Sequence, residues 1–398
     1  MSVKVMAVNA GSSSLKFKLY AMPEEKVICK GIADRIGHDD GIFEIKHDNG
    51  AKKIVTPLPD HSVAVQLLLE NLISENIIAS LDEIGGVGHR IVQGGHYFSG
   101  SVLFDDDAEA KIESLIPLAP LHNAAHLVGF RAFKKVLPTV KHVAVFDTAF
   151  HQTMEPQDYL FPIPYEYYEK YATRRYGAHG TSHLYLSLRA KEHYTKETGN
   201  KLITCHLGSG ASISAILDGK CVATSMGLTP LGGIMMGTRT GDMDPSVFDY
   251  VAKCTGMSIE ETYQTFNKKS GMLGMSGVSN DSRDIFKGAD EGNERCKLTN
   301  TMFVRRVCDF IGQYFVRLGG CDVLVFSAGI GENVPEFREM ICEQLKEPLG
   351  VEIDLELNKC RGVERVISTP NSKVKVMIIP TDEEVMIARD TTEILKLA

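Results

Sequence analysis

Residues 3–20 read VKVMAVNAGSSSLKFKLY and contain the pattern that decides the fold class. An apolar run, Val3–Val8, ends in a polar turn, and an alternating segment, Leu15–Tyr20, follows at once. Short apolar runs bounded by Gly and Ser are typical of strands, and strict alternation is typical of a strand with one buried face. The stretch therefore predicts two strands joined by a tight turn.

The second half of the chain repeats this arrangement at residues 202–217, which read LITCHLGSGASISAIL. In both segments an apolar strand leads through a polar residue and a Gly-Ser pair into an alternating strand. Each half also has a later strand with a polar end, Phe146-Asp147 in one and Val325–Gly329 in the other. Matched elements in the same order indicate an internal duplication, and strands followed by alternating helices and strands indicate an α/β fold. We predict two similar lobes with a central cleft, residues 1–150 and 151–384.

Composition and charge exclude several classes of protein. The chain has 398 residues, of which 43% are hydrophobic and 24% charged, enough for the cores of two or three domains. Its net charge of −8 argues against a nucleic acid or a membrane surface as partner. No apolar run approaches the roughly 18 residues of a membrane span, and from the strand-like start we expect no signal peptide. Nine cysteines without CxxC spacing predict a reducing cytoplasmic compartment.

Four glycine-bearing segments follow or border predicted strands: residues 9–14, 206–212, 226–244 and 328–333. Glycine after a strand lets backbone N–H groups approach an anion closely. The GxxxxGK[ST] pattern of a P-loop is absent, and no GxGxxG follows a strand. One such segment alone is more often a turn without a ligand, but four together predict a site that handles phosphate.

Two arginines lie in glycine-rich surroundings, Arg239 in residues 226–245 and Arg90 in residues 88–96. A planar guanidinium binds a carboxylate or a phosphate with two parallel hydrogen bonds. A solvated surface side chain is the alternative for Arg239. Two convergent arginines are what a reaction between two anions requires.

Two histidine pairs have the i,i+4 spacing that can bind a metal on a helix, namely His122 with His126 and His179 with His183. Neither pair is part of an HExxH pattern, so we interpret them as residues of helix faces. His179 is flanked by glycines, and we expect it to donate a hydrogen bond to an anion.

Residues 8–16, VNAGSSSLK, and 226–245, MGLTPLGGIMMGTRTGDMDP, resemble the two signature segments of the acetate kinase family. The resemblance extends from residue 3 to about residue 390. It implies the duplicated ribonuclease-H-like, actin-like ATPase fold of the superfamily of acetate and sugar kinases, chaperone ATPases and actin. It also implies a homodimer and a C-terminal helix, about residues 385–398, that packs back on the N-terminal lobe.

The resemblance further implies roles for individual residues. Arg90 would bind the substrate carboxylate, and Val92 would line the pocket for its methyl group. Asp147 would be the catalytic carboxylate, and His179 and Arg239 would stabilise the phosphoryl group during transfer.

The ligands of the metal and the nucleotide follow from the same resemblance. Asn9 and Glu383 would bind Mg²⁺ from opposite lobes, with Mn²⁺ as an alternative metal. The implied contacts of ATP or ADP are Lys16, His206, Leu207, Gly208, Ser209, Gly210, Asp281, Ser282, Arg283, Gly329, Ile330, Gly331, Glu332 and Asn333.

The implied reaction is direct, reversible transfer of the γ-phosphoryl group of ATP to acetate, giving acetyl phosphate and ADP. A carboxylate is already ionised at neutral pH, so Asp147 would orient the substrate or position Mg²⁺ rather than remove a proton. A kinase for propionate or another short-chain fatty acid is the nearest alternative. A nucleotide sensor or chaperone-like ATPase without acid kinase activity is the alternative from another class.

Overall fold

The computed structural model describes residues 2–120, 122–193 and 200–397. These residues divide into two units, the first made of Met1–Phe150 with Asp382–Ala398 and the second of His151–Thr381. Each unit is built around a sheet of its own, with eight described strands in the first and six in the second.

The strands of the first unit come early in the chain. They are β1 (Val3–Ala10), β2 (Ser14–Met22), β3 (Lys26–Asp34), β4 (His38–His47), β5 (Gly50–Leu58), β6 (Ile84–Ile91), β7 (Val102–Leu103) and β8 (His142–Phe146). Those of the second unit are β9 (Lys201–Leu207), β10 (Ala211–Leu217), β11 (Lys220–Thr224), β12 (Val323–Ser327), β13 (Arg365–Val366) and β14 (Lys375–Ile378).

The helices flank these strands. They are α1 (His61–Ser74), α2 (Asp106–Ser114), α3 (Asn123–Val136), α4 (Pro156–Tyr159), α5 (Glu166–Tyr171), α6 (Gly180–Lys191), α7 (Ser246–Thr255), α8 (Ile259–Lys268), α9 (Gly271–Ser276), α10 (Ser282–Asp290), α11 (Glu294–Leu318), α12 (Ala328–Asn333), α13 (Pro335–Leu349), α14 (Leu355–Asn358) and α15 (Glu383–Leu395). None of the helices in the described ranges combines the length and the apolar character that a membrane span requires.

The two sheets share one topology. In the first unit the order β3-β2-β1-β6-β8 has antiparallel β1–β2 and β2–β3 pairs and parallel β1–β6 and β6–β8 pairs. In the second unit the order β11-β10-β9-β12-β14 has the same directions at the corresponding places. This repetition confirms the predicted duplication and the ribonuclease-H-like architecture.

Helix α15 belongs to the first unit although it ends the chain. It packs on β1, β2, β6 and β8. Glycines of β6 make room for it, because a Cβ atom at Gly86 would lie 2.6 Å from Leu395 Cδ1 and one at Gly88 would lie 2.2 Å from Thr391 Oγ1. The division between the units falls between Thr381 and Asp382, so Glu383 lies in the first unit.

Residues 328–333, which the sequence suggested as a glycine-bearing loop after a strand, are helical. They form the short helix α12 directly after β12. The Glu332 carboxylate accepts a hydrogen bond from the Ala328 N–H at 2.7 Å and thereby satisfies a donor of the first turn. Ala328 has the left-handed φ of 62°, a conformation that is unfavourable for a residue with a Cβ atom.

Candidate active site

In the first unit, polar residues lie at the carboxyl ends of three neighbouring parallel strands. Asn9 is near the end of β1, Arg90 is near the end of β6, and Asp147 directly follows β8. The strand order β1-β6-β8 brings these ends to one edge of the sheet. Ligands of open α/β sheets bind at such edges. The structure thus brings together three residues that the sequence placed in separate motifs.

Arg90 and Asp147 form a bidentate ion pair. Arg90 Nε donates to Asp147 Oδ1 at 3.0 Å, and Arg90 Nη2 donates to Oδ2 at 2.6 Å. The Asp147 side chain is fully buried, whereas 19% of the Arg90 side chain is exposed. Because Asp147 occupies one edge of the guanidinium, the Nη1 edge is left for a second anion.

Glu383 lies beside this pair, with its Oε2 3.7 Å from Arg90 Nε. Burial raises the pKa of Glu383 to about 7. The positive charge of Arg90 opposes this rise, and the negative charges of Asp147 and Glu384 add to it. Burial alone would lower the pKa of Arg90, but Asp147 and Glu383 raise it. One cation and two carboxylates therefore share this edge of the sheet.

Polar contacts fix the segment after β6 that contains Val92, which is 5% exposed. The Asn123 amide at the start of α3 donates to Gln93 O at 2.9 Å and accepts from Gln93 N–H at 3.1 Å. Gly94 N–H donates to the Thr148 hydroxyl at 3.1 Å. Asn123 and Thr148 thus position the residues around Val92, and no sequence motif pointed to either.

The first unit also contains the two residues predicted to bind Mg²⁺. Asn9 is on β1 and Glu383 begins α15, which packs on β1, so both belong to one unit and not to two as the sequence analysis expected. In the described ranges no group of three His, Cys, Asp or Glu side chains could hold a metal ion. Mg²⁺ commonly uses one or two protein ligands with water and phosphate oxygens, so an amide oxygen and a carboxylate fit its chemistry. Lys16, a predicted nucleotide contact, is the β2 residue paired with Asn9.

In the second unit His179 and Arg239 lie close together around Gly210. A Cβ atom at Gly210 would lie 3.3 Å from Arg239 Nη1 and 3.6 Å from His179 Nε2, so the absence of a side chain leaves space between them. Burial lowers the pKa of the half-buried Arg239. Its Nη1 donates to Pro230 O and Met236 Sδ, and among the described residues no carboxylate forms an ion pair with it. Such a cation favours binding of an anion.

A hydrogen-bond network orients the His179 ring. His179 Nδ1 is 2.9 Å from Ser212 Oγ, which is also 2.8 Å from His183 Nε2. The ring of His206 stacks on His179 at 4.1 Å, and His206 Nδ1 is bonded to Ser182 Oγ at 2.8 Å. His179 itself has a left-handed φ of 58°, a strained conformation that is often found at functional sites.

A pocket of about 550 Å³ in the second unit has the size of a small-molecule or cofactor site. Its lining residues are Ser209, Asn280, Asp281, Ser282, Arg283, Gly329, Ile330, Asn333, Val334 and Arg361. Seven of these are predicted nucleotide contacts, and three, Asn280, Val334 and Arg361, were not predicted. Among the other predicted contacts, Gly208 and Gly210 form the tight turn between β9 and β10, closed by Gly208 N–H donating to Gly210 O at 3.1 Å.

Gly331 and Glu332 lie between two residues that line the pocket, Ile330 and Asn333, but do not line it themselves. The Glu332 carboxylate accepts from the N–H groups of Ala328 and Thr381, and it is not among the residues that line the pocket. The fully buried Arg338 donates from Nη1 to Gly331 O at 2.9 Å. Its other nitrogens donate to Asn358 and to Cys360 O, directly before Arg361. No local pattern distinguishes Arg338 from a surface arginine of an amphipathic helix.

The model of the acetokinase family matches residues 4–389. This chain belongs to the acetokinase family. It is 52% identical over 395 residues to a protein named acetate kinase from Geobacillus sp. (strain WCH70), with 99% of each chain covered. A crystal structure of Porphyromonas gingivalis acetate kinase is similar at a TM-score of 0.93 and 44% identity, covering 99% of this chain and 100% of that one. A propionate kinase from Francisella tularensis has a TM-score of 0.93 and 40% identity, covering 98% and 99%.

Membership in the acetokinase family makes this chain a phosphotransferase that uses ATP or ADP and has a carboxyl group as acceptor. The recognition of the family from residues 8–16 and 226–245 is confirmed.

Proposed function

We propose that this chain catalyses the Mg²⁺-dependent, reversible transfer of the γ-phosphoryl group of ATP to acetate by direct in-line displacement, giving acetyl phosphate and ADP. The observation that carries the proposal is Arg239, which lies beside His179 at the side-chain-free Gly210 and has no carboxylate partner in the described part of the chain. A guanidinium and an imidazole at one point suit the charge on the oxygens of a transferring phosphoryl group.

Arg90 would bind the acceptor. Its Nε and one edge of Nη2 are held by Asp147, so the remaining N–H groups can donate to the two oxygens of acetate. In this arrangement Asp147 acts by fixing the guanidinium. The acceptor needs no general base, because acetate is ionised at neutral pH.

In the proposed step one carboxylate oxygen of acetate attacks the γ-phosphorus and forms a new P–O bond. The bond between the γ-phosphorus and the bridging oxygen breaks, and its electron pair leaves with ADP. No proton is transferred. Arg90 would offset the charge of the attacking carboxylate, and Arg239 and His179 would stabilise the phosphoryl oxygens.

Asn9 and Glu383 would hold Mg²⁺, or Mn²⁺ in its place. When bound, the metal supplies charge neutralisation to the phosphate oxygens. The residues lining the 550 Å³ pocket would bind the nucleoside, with the guanidinium of Arg283 held by Asp281 through Nη2–Oδ2 contact at 2.5 Å.

The test is acetate-dependent formation of ADP, with acetyl phosphate trapped by hydroxylamine as the hydroxamate. We expect hydroxamate and ADP in equal amounts, and a loss of both in Arg239→Ala. Arg305→Ala is the matched control, because Arg305 is an exposed arginine of α11 in the same unit. ATP hydrolysis that does not depend on acetate would instead identify a nucleotide sensor or chaperone-like ATPase.

Propionate is the second candidate acceptor, since the chain resembles a propionate kinase at 40% identity. We favour acetate because the buried, branched Val92 would limit the methyl pocket. One methylene is worth about 1–3 kcal/mol of discrimination, so propionate is expected to be a slower substrate. A kcat/KM that is higher for propionate or butyrate than for acetate would reverse this choice, and Val92→Ala should narrow the difference.

We also infer a homodimer that acts in the cytoplasm. Large apolar side chains of the second unit are exposed on two segments, including Ile163 (45%), Tyr171 (66%), Tyr250 (69%) and Ile259 (77%). A second copy seated on these segments would remove their apolar side chains from water. Light scattering after size exclusion should give twice the mass of the 43.8 kDa chain, and Tyr250→Glu with Ile259→Glu should lower it.

A further inference from the structure

The turn between β1 and β2 is held by its carbonyl oxygens. Gly11 N–H donates to Ser14 O at 2.7 Å and closes the turn, and Ile36 N–H donates to Ser13 O at 2.9 Å from the neighbouring loop. The carbonyls of Ala10 and Gly11 belong to the same turn, at the end of β1. In a tight turn without side-chain help they would rely on water.

Two buried histidines from different helices satisfy these carbonyls. His126 of α3 has its Nδ1 2.7 Å from Ala10 O, and His61 of α1 has its Nε2 2.8 Å from Gly11 O. His126 is 4% and His61 6% exposed. Because a carbonyl oxygen only accepts, each ring must carry its proton on the nitrogen that faces the turn.

The packing shows that α3 lies directly against this turn. Gly129 is one helical turn after His126 and therefore on the same face of α3. A Cβ atom at Gly129 would lie 2.4 Å from Ala10 Cβ, so only glycine allows this approach. The histidine contact is thus part of a close helix–turn packing.

The hydrogen bond to Gly11 O also fixes the direction of the Ser12 N–H, because the two groups belong to one peptide unit. In a planar trans peptide the C=O and N–H groups point in opposite directions. With Gly11 O directed to His61, the Ser12 N–H must point away from α1. Across the described ranges no acceptor is hydrogen-bonded to the Ser12 N–H, and the Ser12 and Ser13 side chains are exposed.

We propose that His61 and His126 are positioning residues that hold the carbonyls of Ala10 and Gly11 so that the Ser12 N–H donates to a phosphate oxygen of the nucleotide. A phosphate is favoured over a carboxylate because the turn offers several donors in succession, the Ser12 N–H, two exposed hydroxyls and Lys16 on the following strand. The inference rests on the proposed function only for the identity of this anion.

The test compares apolar and hydrogen-bonding replacements at each histidine. In His61→Gln the amide nitrogen can take the place of Nε2, and in His126→Asn it can take the place of Nδ1, whereas His61→Leu and His126→Leu have no donor. We expect the two Leu variants to raise the KM and the dissociation constant for MgATP about tenfold or more, because small misplacements at a phosphate site have large effects. The KM for acetate should change less than about twofold, and Gln and Asn should restore nucleotide binding to within about threefold.

The matched control is His142→Leu. His142 is equally buried in the same unit, and its hydrogen bond is to His89 at 3.0 Å and not to the turn. A general loss of stability would lower the thermal midpoint of all Leu variants, whereas only His61→Leu and His126→Leu should weaken nucleotide binding. Unchanged nucleotide affinity in these two variants would overturn the proposal, as would a loss in the Gln and Asn variants equal to that in the Leu variants.

Failure of the proposed function gives a different result. If the wild-type chain formed no hydroxamate from acetate, ATP and ADP titrations followed by calorimetry would still measure the contribution of the turn. Loss of acetate activity with normal nucleotide binding in wild type therefore refutes only the choice of acceptor.

Discussion

Replacing Arg90 with alanine should affect stability as well as catalysis. The Asp147 carboxylate is fully buried and has both oxygens bonded to Arg90, at 3.0 Å from Nε and at 2.6 Å from Nη2. Arg90→Ala removes this cation and leaves two neighbouring carboxylates, Asp147 and Glu383, without it. The stability of this variant therefore measures how much the ion pair contributes to the free energy of unfolding.

The size of the effect follows from burial. Removing one partner of a buried ion pair costs about 3–5 kcal/mol, because the other charge stays desolvated and unpaired. Since 19% of the Arg90 side chain is exposed, we expect the lower end, about 3 kcal/mol. The double variant Arg90→Ala/Asp147→Ala removes both charges and should recover more than half of this loss.

The assay is urea unfolding of the ligand-free chain, followed by far-UV circular dichroism, for wild type, both single variants and the double variant. None of the three variants should form hydroxamate. The double variant should therefore regain stability without regaining activity. The reasoning fails if the free energy of unfolding of Arg90→Ala is within about 0.5 kcal/mol of that of wild type, or if the double variant is less stable than Arg90→Ala.

Three further predictions concern buried charged and titratable groups. Arg239→Ala should lower turnover about 10³-fold or more without lowering the thermal midpoint, because it removes a cation that has no carboxylate partner in the described residues; a normal turnover would contradict its role. Arg338→Lys should lower the free energy of unfolding by about 2–4 kcal/mol and raise the KM for ATP, because a lysine cannot reproduce the guanidinium contacts with Gly331, Asn358 and Cys360. Thermal unfolding measures the first effect and initial rates the second. An unchanged KM for ATP would show that the pocket does not depend on Arg338. Burial lowers the pKa of His142 to about 4, so between pH 6.5 and 4 this histidine is protonated in the unfolded chain but not in the folded one. The free energy of unfolding should therefore fall as the pH decreases from 6.5 towards 4. Urea unfolding at several pH values should show a shallower fall in His142→Leu, and equal slopes would contradict the assignment.

Local sequence patterns were sufficient to predict the strands and turns that contain most residues of the candidate site. The alternation around residues 9–14 and its repeat at 206–212 predicted both tight turns and the duplication, because strand periodicity and glycine turns depend on neighbouring residues. The segment around Arg239 is neither helix nor strand, because it is too rich in Gly and Pro for either. The short helix at 328–333 was missed, because it is stabilised by Glu332 bonding to the backbone of Ala328 rather than by helix propensity.

The sequence by itself determined the strands, the turns between them and the residue types that can bind two anions, since these follow from periodicity and side-chain chemistry over short stretches. Only the tertiary structure decided which of these residues meet. Glu383 joins Arg90 because α15 packs against the glycines of β6, nearly 300 residues earlier in the chain. His61 and His126 reach one turn, and Arg338 supports one pocket, through contacts that no local pattern encodes. Such contacts depend on close packing between distant segments, and only the assembled core specifies them.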